Sequence, residues 1–410
     1  MQLKKEQKSV RSALALATCS LLGAAPGGAS AADNQWEVDT ALLLYSEGGE
    51  RLNIIEPVVN LSKSLGDDES IDLRLVLDTL TGSSPNGAIA TDQVQTFTNP
   101  SGNGSYTVDP GETPLDPTFK DTRVALSANW TKPLGERLSG IFGANFSTEY
   151  DYQSIGASAT LKRDFNNRNT TVSAGLSLSQ DTVDPVGGAP YGLSVVPDYP
   201  AVKETQGGTQ DKSVTDLLLG VTQVINRSTL MQLNYTYGID DGYLTDPYKL
   251  LSVTDASGDV AGYRFEQRPD ERARHALYWR TLHHFSEDVI DFSYRYYSDD
   301  WGIRSHTVDM RYRYELGGGH YLQPHVRWYQ QSAADFYHYN LEEGAIPEYA
   351  SADYRLGNMT SNTLGVKYGL AFSEEKELSV RLEFMNQSDD DGQFEDVDAI
   401  IVQGSYSFLF

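Results

Sequence analysis

The sequence predicts an all-β fold: a single transmembrane antiparallel up-and-down β-barrel of about 16 strands with long external loops. Three observations indicate this fold class. Many segments alternate apolar and polar residues with a period of two, which is the side-chain period of a strand. Short and long connections between these segments follow one another in regular alternation. The chain also begins like an exported protein and ends in an aromatic strand.

The alternation is clearest in residues 305–316, which read SHTVDMRYRYEL. One face of this predicted strand carries His306, Val308, Met310, Tyr312, Tyr314 and Leu316, and the other carries Thr307, Asp309, Arg311, Arg313 and Glu315. A membrane barrel turns the apolar face to lipid and the charged face to a polar lumen. A soluble sandwich would instead bury the apolar face against a second sheet, with shorter strands.

Sixteen segments are predicted as strands, and most are long enough for the ~9–11 residues that a tilted strand needs to cross a bilayer. They span residues 36–45, 52–65, 69–79, 119–132, 136–148, 152–165, 169–181, 213–226, 229–238, 273–285, 289–299, 305–316, 320–331, 359–373, 376–388 and 397–410.

The connections indicate the orientation. Every connection after an even-numbered strand is short, whereas the four long ones, residues 80–118, 182–212, 239–272 and 332–358, follow odd-numbered strands. Outer-membrane barrels have short periplasmic turns and longer external loops. With a periplasmic N-terminus, all four long connections are therefore predicted to be external.

The N-terminus predicts a cleaved signal peptide over residues 1–31, followed by a barrel over residues 32–410. The basic start MQLKKEQKSVR precedes a short apolar run, and Ala29-Ser30-Ala31 has the small residues of a cleavage site. A lipoprotein interpretation would use Cys19, but the Thr before it fits poorly. The expected location is the outer membrane of a Gram-negative bacterium. At the other end, Tyr406, Phe408 and Phe410 share one face and are predicted to be the assembly signal that the barrel assembly machinery binds.

Charged residues on the inward faces are the candidate functional residues. The lumen-lining candidates are Arg295, Arg311, Arg313, Arg327, Lys367, Arg381, Asp72 and Asp78. The late strands carry an excess of positive charge and the early strands an excess of negative charge. Two arrangements are open: a field across the pore that orients charged solutes, or local pairing that merely makes the lumen polar.

Composition argues against several other functions. Without residues 1–31 the net charge of −25 becomes −28, so a nucleic-acid partner is not expected. Ser305 and His306 are adjacent on a strand and point to opposite faces, so they do not form a catalytic pair. His283-His284 and the acidic stretch at 388–396 lack the spacing of a metal site. No enzyme activity, cofactor or metal is expected.

Three stretches carry a family resemblance. Residues 291–337, GYLTDPYK at 242–249 and RPDERARHALYWR at 268–280 resemble the bacterial outer-membrane barrel family known as domain of unknown function 3570. With the signal peptide and the final Phe, the resemblance covers nearly the whole chain. It implies a barrel fold and an outer-membrane location, and no established activity. It also implies a link to an envelope redox system, because family members tend to be encoded near a small lipoprotein, a thioredoxin-like protein and a flavin transferase.

The function expected from these observations is a channel or transport pore for small polar or charged solutes. The alternative is a structural or partner-binding outer-membrane component of an envelope redox or secretion system. Membrane lipid, lipopolysaccharide and the barrel assembly machinery are the expected partners, together with a periplasmic protein or lipoprotein in the alternative.

Overall fold

The computed structural model describes residues 35–49, 51–99, 104–198, 200–373 and 375–410. The predicted signal peptide, residues 1–31, lies outside these ranges. The described chain forms a closed barrel in which each strand pairs with its sequence neighbour in the antiparallel sense. The first and last strands close it, and Trp36 and Phe410 exchange backbone hydrogen bonds of 2.9 and 3.0 Å. Closure leaves no unpaired edge, as a strand structure within lipid requires.

Sixteen strands build the barrel, and all sixteen predicted segments are confirmed. They are β1 (Trp36–Glu47), β2 (Leu52–Gly66), β3 (Glu69–Pro85), β4 (Leu115–Gly135), β5 (Leu138–Thr148), β6 (Tyr152–Phe165), β7 (Thr170–Val183), β8 (Gln210–Asn226), β9 (Thr229–Gly242), β10 (Glu271–His284), β11 (Val289–Asp299), β12 (Arg304–Gly317), β13 (His320–Gln331), β14 (Met359–Ser373), β15 (Lys376–Asp389) and β16 (Val397–Leu409). Several external strand ends extend beyond prediction, because pairing continues above the apolar stretch that the sequence pattern detects.

The alternation of connections is confirmed. The long connections follow β3, β7, β9 and β13, and the turns at the opposite end have two to four residues. Asp67 and Asp68 form the turn between β2 and β3, both in the left-handed region with φ of 51° and 61°. Such a turn matches the twist of a hairpin, and Asp tolerates this backbone.

The long loops contain regular secondary structure of their own. Additional short strands lie in them: Gln95–Thr98 with Ser105–Val108, Ala189–Pro190 with Thr205–Gly207, and Leu250–Thr254 with Val260–Phe265 and Leu341–Glu342. Short 3₁₀ helices span Asn166–Arg168 and Tyr354–Leu356. Within the described ranges, no helix has the length and apolar character needed to cross a membrane.

The two faces of each strand differ as predicted. Large apolar side chains project outward, and Ile155, Leu364 and Phe384 are 62%, 63% and 56% exposed on the barrel exterior. In β12, Met310, Tyr314 and Leu316 belong to this exterior. His306 shares the apolar face, and its Nδ1 lies 2.7 Å from the hydroxyl of Tyr294 on β11. This polar contact satisfies the imidazole on a surface that otherwise faces lipid.

Candidate functional site

The inner wall carries the predicted lumen residues. Strand alternation places all eight on the inner face: Arg295 on β11, Arg311 and Arg313 on β12, Arg327 on β13, Lys367 on β14, Arg381 on β15, and Asp72 and Asp78 on β3. Tyr406, Phe408 and Phe410 lie along one outward-facing row. Their rings are separated by 5.4 and 6.2 Å.

Many of the inner charges have partners on the same or the next strand. Asp78 accepts a hydrogen bond of 2.6 Å from Arg123 on β4. Arg313 Nε donates a hydrogen bond of 2.5 Å to Glu315. The ammonium nitrogen of Lys367 lies 3.6 Å from a carboxylate oxygen of Glu377. Pairing of this kind is the second of the two arrangements expected from the sequence. It lowers the cost of holding charges against a low-dielectric wall.

Arg280 and His325 are functional candidates that the sequence did not single out. Arg280 on β10 binds Asp291 through two hydrogen bonds of 2.9 and 2.8 Å. His325 on β13 lies between Asp309 and Glu383, with ring nitrogens 3.0 and 2.7 Å from the two carboxylates. Alternation along β13 could have placed His325 beside Arg327 on the inner face. Its contact with Glu383, 58 residues away, leaves no local pattern in the sequence.

A mid-barrel cluster surrounds this imidazole. It comprises Arg311, His325, Arg327 and Arg381 with the carboxylates of Asp309 and Glu383, and we call it the lumen cation cluster. The guanidinium groups of Arg311 and Arg327 lie 3.3 and 3.9 Å from Asp309, and that of Arg381 lies 3.7 Å from Glu383. The neighbouring strands β12 and β13, together with β15, therefore bring six ionisable groups to one level of the lumen.

The inner wall of β5 to β7 has a different chemistry. Its middle carries glycine, asparagine and serine, namely Gly143, Asn145, Gly156, Ser158, Gly175 and Ser177. A Cβ atom at Gly143 would lie 2.4 Å from Ser158 Oγ and 2.7 Å from Asn129 Oδ1. Glycine is needed there because polar side chains lie flat across the strand. The lumen thus has a neutral hydroxyl and amide wall as well as a charged one.

The four long external loops join in one assembly, which we call the cap: the described residues of 86–114, 184–209, 243–270 and 332–358. Backbone hydrogen bonds link the loops to one another. Leu250 N–H donates to Asn86 at 2.7 Å, Val196 N–H to Tyr263 at 2.9 Å, and Gln267 N–H to Ala350 at 2.9 Å. The loops therefore support one another.

The cap crosses the barrel mouth. Lys249 donates a hydrogen bond to the carbonyl of Pro85 at the end of β3, although the loop containing Lys249 follows β9. These two strands are six positions apart in the closed sheet. A 16-stranded barrel with ordinary strand spacing and tilt has a diameter of about 30 Å, so such a contact requires the loop to extend across the opening.

Ionic contacts hold the cap together. Arg268 donates to Glu266 at 3.1 Å and to Asp353 at 2.9 Å. Burial opposes the charge of Asp353, but Arg355, Lys249 and Arg268 outweigh burial and hold its pKa below the usual range. Burial raises the pKa of Glu266 despite the adjacent Arg268. Two of the stretches that carry the family resemblance, GYLTDPYK and RPDER, contribute Lys249 and Arg268.

An apolar cluster fixes the cap to the inner wall. Leu244, Phe336 and Leu356 of the cap pack in one buried cluster with Ala276 of β10 and Tyr297 of β11. Alternation puts these two strand residues on the inner face. The TDPY segment, residues 245–248, therefore belongs to a loop that packs inside the barrel rim.

Two other features of the described residues are not centred on the lumen. Asp389, in the acidic stretch at 388–396, accepts hydrogen bonds from the N–H groups of Gln393 and Phe394 at 2.8 and 3.0 Å. Among the residues that the structure describes, no three His, Cys, Asp or Glu side chains form a group able to hold a metal.

A groove of about 680 Å³, with Leu126, Phe146 and Ile155 in its lining, opens on the outer face of β4 to β8.

Fold and site together define the class: a transmembrane β-barrel of the outer-membrane type, with a polar lumen and a folded external cap. The chain belongs to the DUF3570 family, described as a protein of unknown function, whose model matches residues 11–408. This confirms the resemblance seen in the sequence. No curated protein matches the chain.

Several solved structures have a similar barrel. A bacterial polysaccharide outer membrane secretin is 9% identical, with a TM-score of 0.47, over 93% of this chain and 100% of that one. The CymD monoaromatic hydrocarbon channel is 11% identical, with a TM-score of 0.43, over 92% and 89%. A mutant ferric enterobactin receptor from Pseudomonas aeruginosa is 11% identical, with a TM-score of 0.45, over 88% of this chain and 54% of that one.

Proposed function

We propose that the protein is a channel for small polar or charged solutes in the outer membrane of a Gram-negative bacterium. The observation that carries the proposal is the closed sixteen-stranded barrel with apolar residues outside and polar residues inside. A barrel of this strand number is wide enough to leave an aqueous passage. The proposal includes export by a signal peptide over residues 1–31, and it involves no catalytic step.

The cap restricts the entry of solutes into the lumen. Solutes must pass around it or wait for a loop to move, since its loops contact both sides of the mouth. The neutral wall of β5 to β7 and the charged wall of β11 to β15 provide two different surfaces below the cap. We therefore expect a small, selective conductance rather than that of a wide open pore.

A second candidate is a structural or partner-binding component of an envelope redox or secretion system. The interlocked cap favours this candidate, because a covered mouth suits a barrel that presents a fixed surface. Membrane lipid and lipopolysaccharide would surround either protein. The barrel assembly machinery would bind the aromatic row that ends at Phe410. In the second candidate function, a periplasmic protein or lipoprotein would be the binding partner.

Conductance across a planar lipid bilayer tests the channel. The wild-type protein should give discrete current steps, and Arg268→Ala, which removes a cation from the cap, should give larger or more frequent ones. Arg168→Ala is the control, because Arg168 and its partner Asp68 are exposed side chains in two periplasmic turns. Absence of current from both wild type and Arg268→Ala would reject the channel and favour the second candidate.

A further inference from the structure

We propose that the lumen cation cluster is a binding site for small anions that carry a carboxylate or phosphate group. The inference rests on the proposed channel and specifies its substrate class. The site is midway along the barrel, because Arg311 is the eighth of the fourteen residues of β12 and Glu383 the eighth of the fourteen of β15. Any solute that crosses the lumen must pass this level.

Geometry assigns a positive charge to His325. One ring nitrogen lies 2.7 Å from Glu383 and the other 3.0 Å from Asp309. An ionised carboxylate can only accept a hydrogen bond, so both ring nitrogens must carry a hydrogen. An imidazole with two N–H groups is a cation. The two carboxylates therefore hold a charged imidazole between them.

The cluster has more positive than negative charge. The cluster contains three guanidinium groups and the imidazolium but only two carboxylates, Asp309 and Glu383, so its formal charge is +2. Neighbouring charges on the wall do not cancel this surplus, because they pair among themselves. These pairs are Arg280 with Asp291, Arg313 with Glu315, and Lys367 with Glu377.

The cations, rather than the carboxylates, are presented to the lumen. The side chain of Arg311 is 27% exposed and that of Asp309 13%. The side chain of Arg381 is 19% exposed, whereas Glu383 is only 2% exposed. The carboxylates thus lie behind the guanidinium groups and orient them. An anion arriving from the lumen meets the arginines first.

The donor set indicates the ligand. A guanidinium presents a planar fork of N–H donors that matches a carboxylate or phosphate, and such charge-assisted bonds are stronger than neutral ones. The low-dielectric wall increases the attraction. Small molecules that carry a carboxylate or phosphate group are therefore the ligands that this donor set fits.

Binding is tested on the full-length protein in detergent, by calorimetric titration with inorganic phosphate and, separately, with acetate. Arg311→Gln and Arg381→Gln should each weaken binding of the preferred anion by more than tenfold. The matched control is Arg123→Gln, which removes one positive charge elsewhere on the inner wall and should leave binding unchanged. Electrophoretic mobility with and without boiling establishes that each variant folds.

Selectivity is measured by the reversal potential in a potassium chloride gradient. The wild type should favour chloride, and both cluster variants should move toward cation selectivity by more than the control does. A conducting wild type that binds neither anion, or equal shifts in cluster and control variants, would overturn the site while the channel stands. Anion binding without any current would reject the channel and leave the binding site supported.

Discussion

Replacing Arg268 by Ala should release the cap while leaving the barrel intact. The Arg268 side chain is 11% exposed, and its two partners, Glu266 and Asp353, are 0% and 1% exposed. After the substitution Glu266 keeps its hydrogen bonds from Ser351 and from the N–H of Asp246. It loses the guanidinium of Arg268 that lay beside it. Asp353 retains Arg355. The cap then holds two buried acids with one guanidinium fewer.

The magnitude follows from burial. Removing one partner of a buried ion pair costs about 3–5 kcal/mol, because the remaining charge stays desolvated. At about 1.4 kcal/mol for each factor of ten, the population of released cap should rise by two to three and a half powers of ten. The strands should be unaffected, since their ladder hydrogen bonds do not involve this residue. Hydrogen exchange measured by mass spectrometry on residues 243–270 and 332–358 reports the change.

Peptides from these two loops should exchange much faster in Arg268→Ala, whereas peptides from β5 to β7 should exchange as in the wild type. The control Arg168→Ala removes an exposed ion pair and should change little, since such pairs contribute about 0–1 kcal/mol. Unchanged exchange in the Arg268→Ala loops would show that the ionic contacts do not hold the cap. Faster exchange throughout the barrel would show that cap and barrel form one cooperative unit.

Further predictions concern assembly and pH. Deleting Phe410, or replacing it by Asp, should reduce the folded, heat-modifiable form in the outer membrane, because the final aromatic row is lost; normal amounts of that form would contradict the assigned role. The low pKa of Asp353 means that its ionised form stabilises the cap fully above the ordinary carboxyl pKa of about 3.9, and that this contribution is lost as pH falls toward the lower folded value. Channel current should therefore rise as pH falls from 4 toward ~2, and the rise should be absent in Asp353→Asn. A wild-type current independent of pH would contradict this assignment.

The strands were predictable because their signal is local. Alternation along residues 305–316 identifies both the strand and its lipid face, and the regular placement of short turns gives the orientation. The external end of β3 was missed because residues 80–85 lack that apolar alternation. Their pairing with β4 depends on contacts across the sheet, such as the register of Leu80 with Asp121.

The site was predictable only in part. Alternation along the strands predicts that the arginines, such as Arg311 and Arg381, lie on the inner face. The partners of those residues come from other strands, so nothing near Glu383 in the sequence points to His325. The contacts within the cap were not predictable for the same reason: Arg268 meets Asp353 across 85 residues. Loops rich in Pro and Gly give no periodic signal, whatever their tertiary contacts.

Surface labelling of single cysteines tests the central claim most directly, namely a transmembrane barrel with its cap outside and its short turns in the periplasm. The only native cysteine, Cys19, lies in the segment predicted to be removed. A membrane-impermeant maleimide should label Ser257→Cys, in the loop after β9, on intact cells. It should label Arg227→Cys, in the turn between β8 and β9, only after the outer membrane is permeabilised. Labelling of Arg227→Cys but not of Ser257→Cys on intact cells would show that the barrel has the opposite orientation. Equal labelling of both would contradict a membrane-spanning barrel.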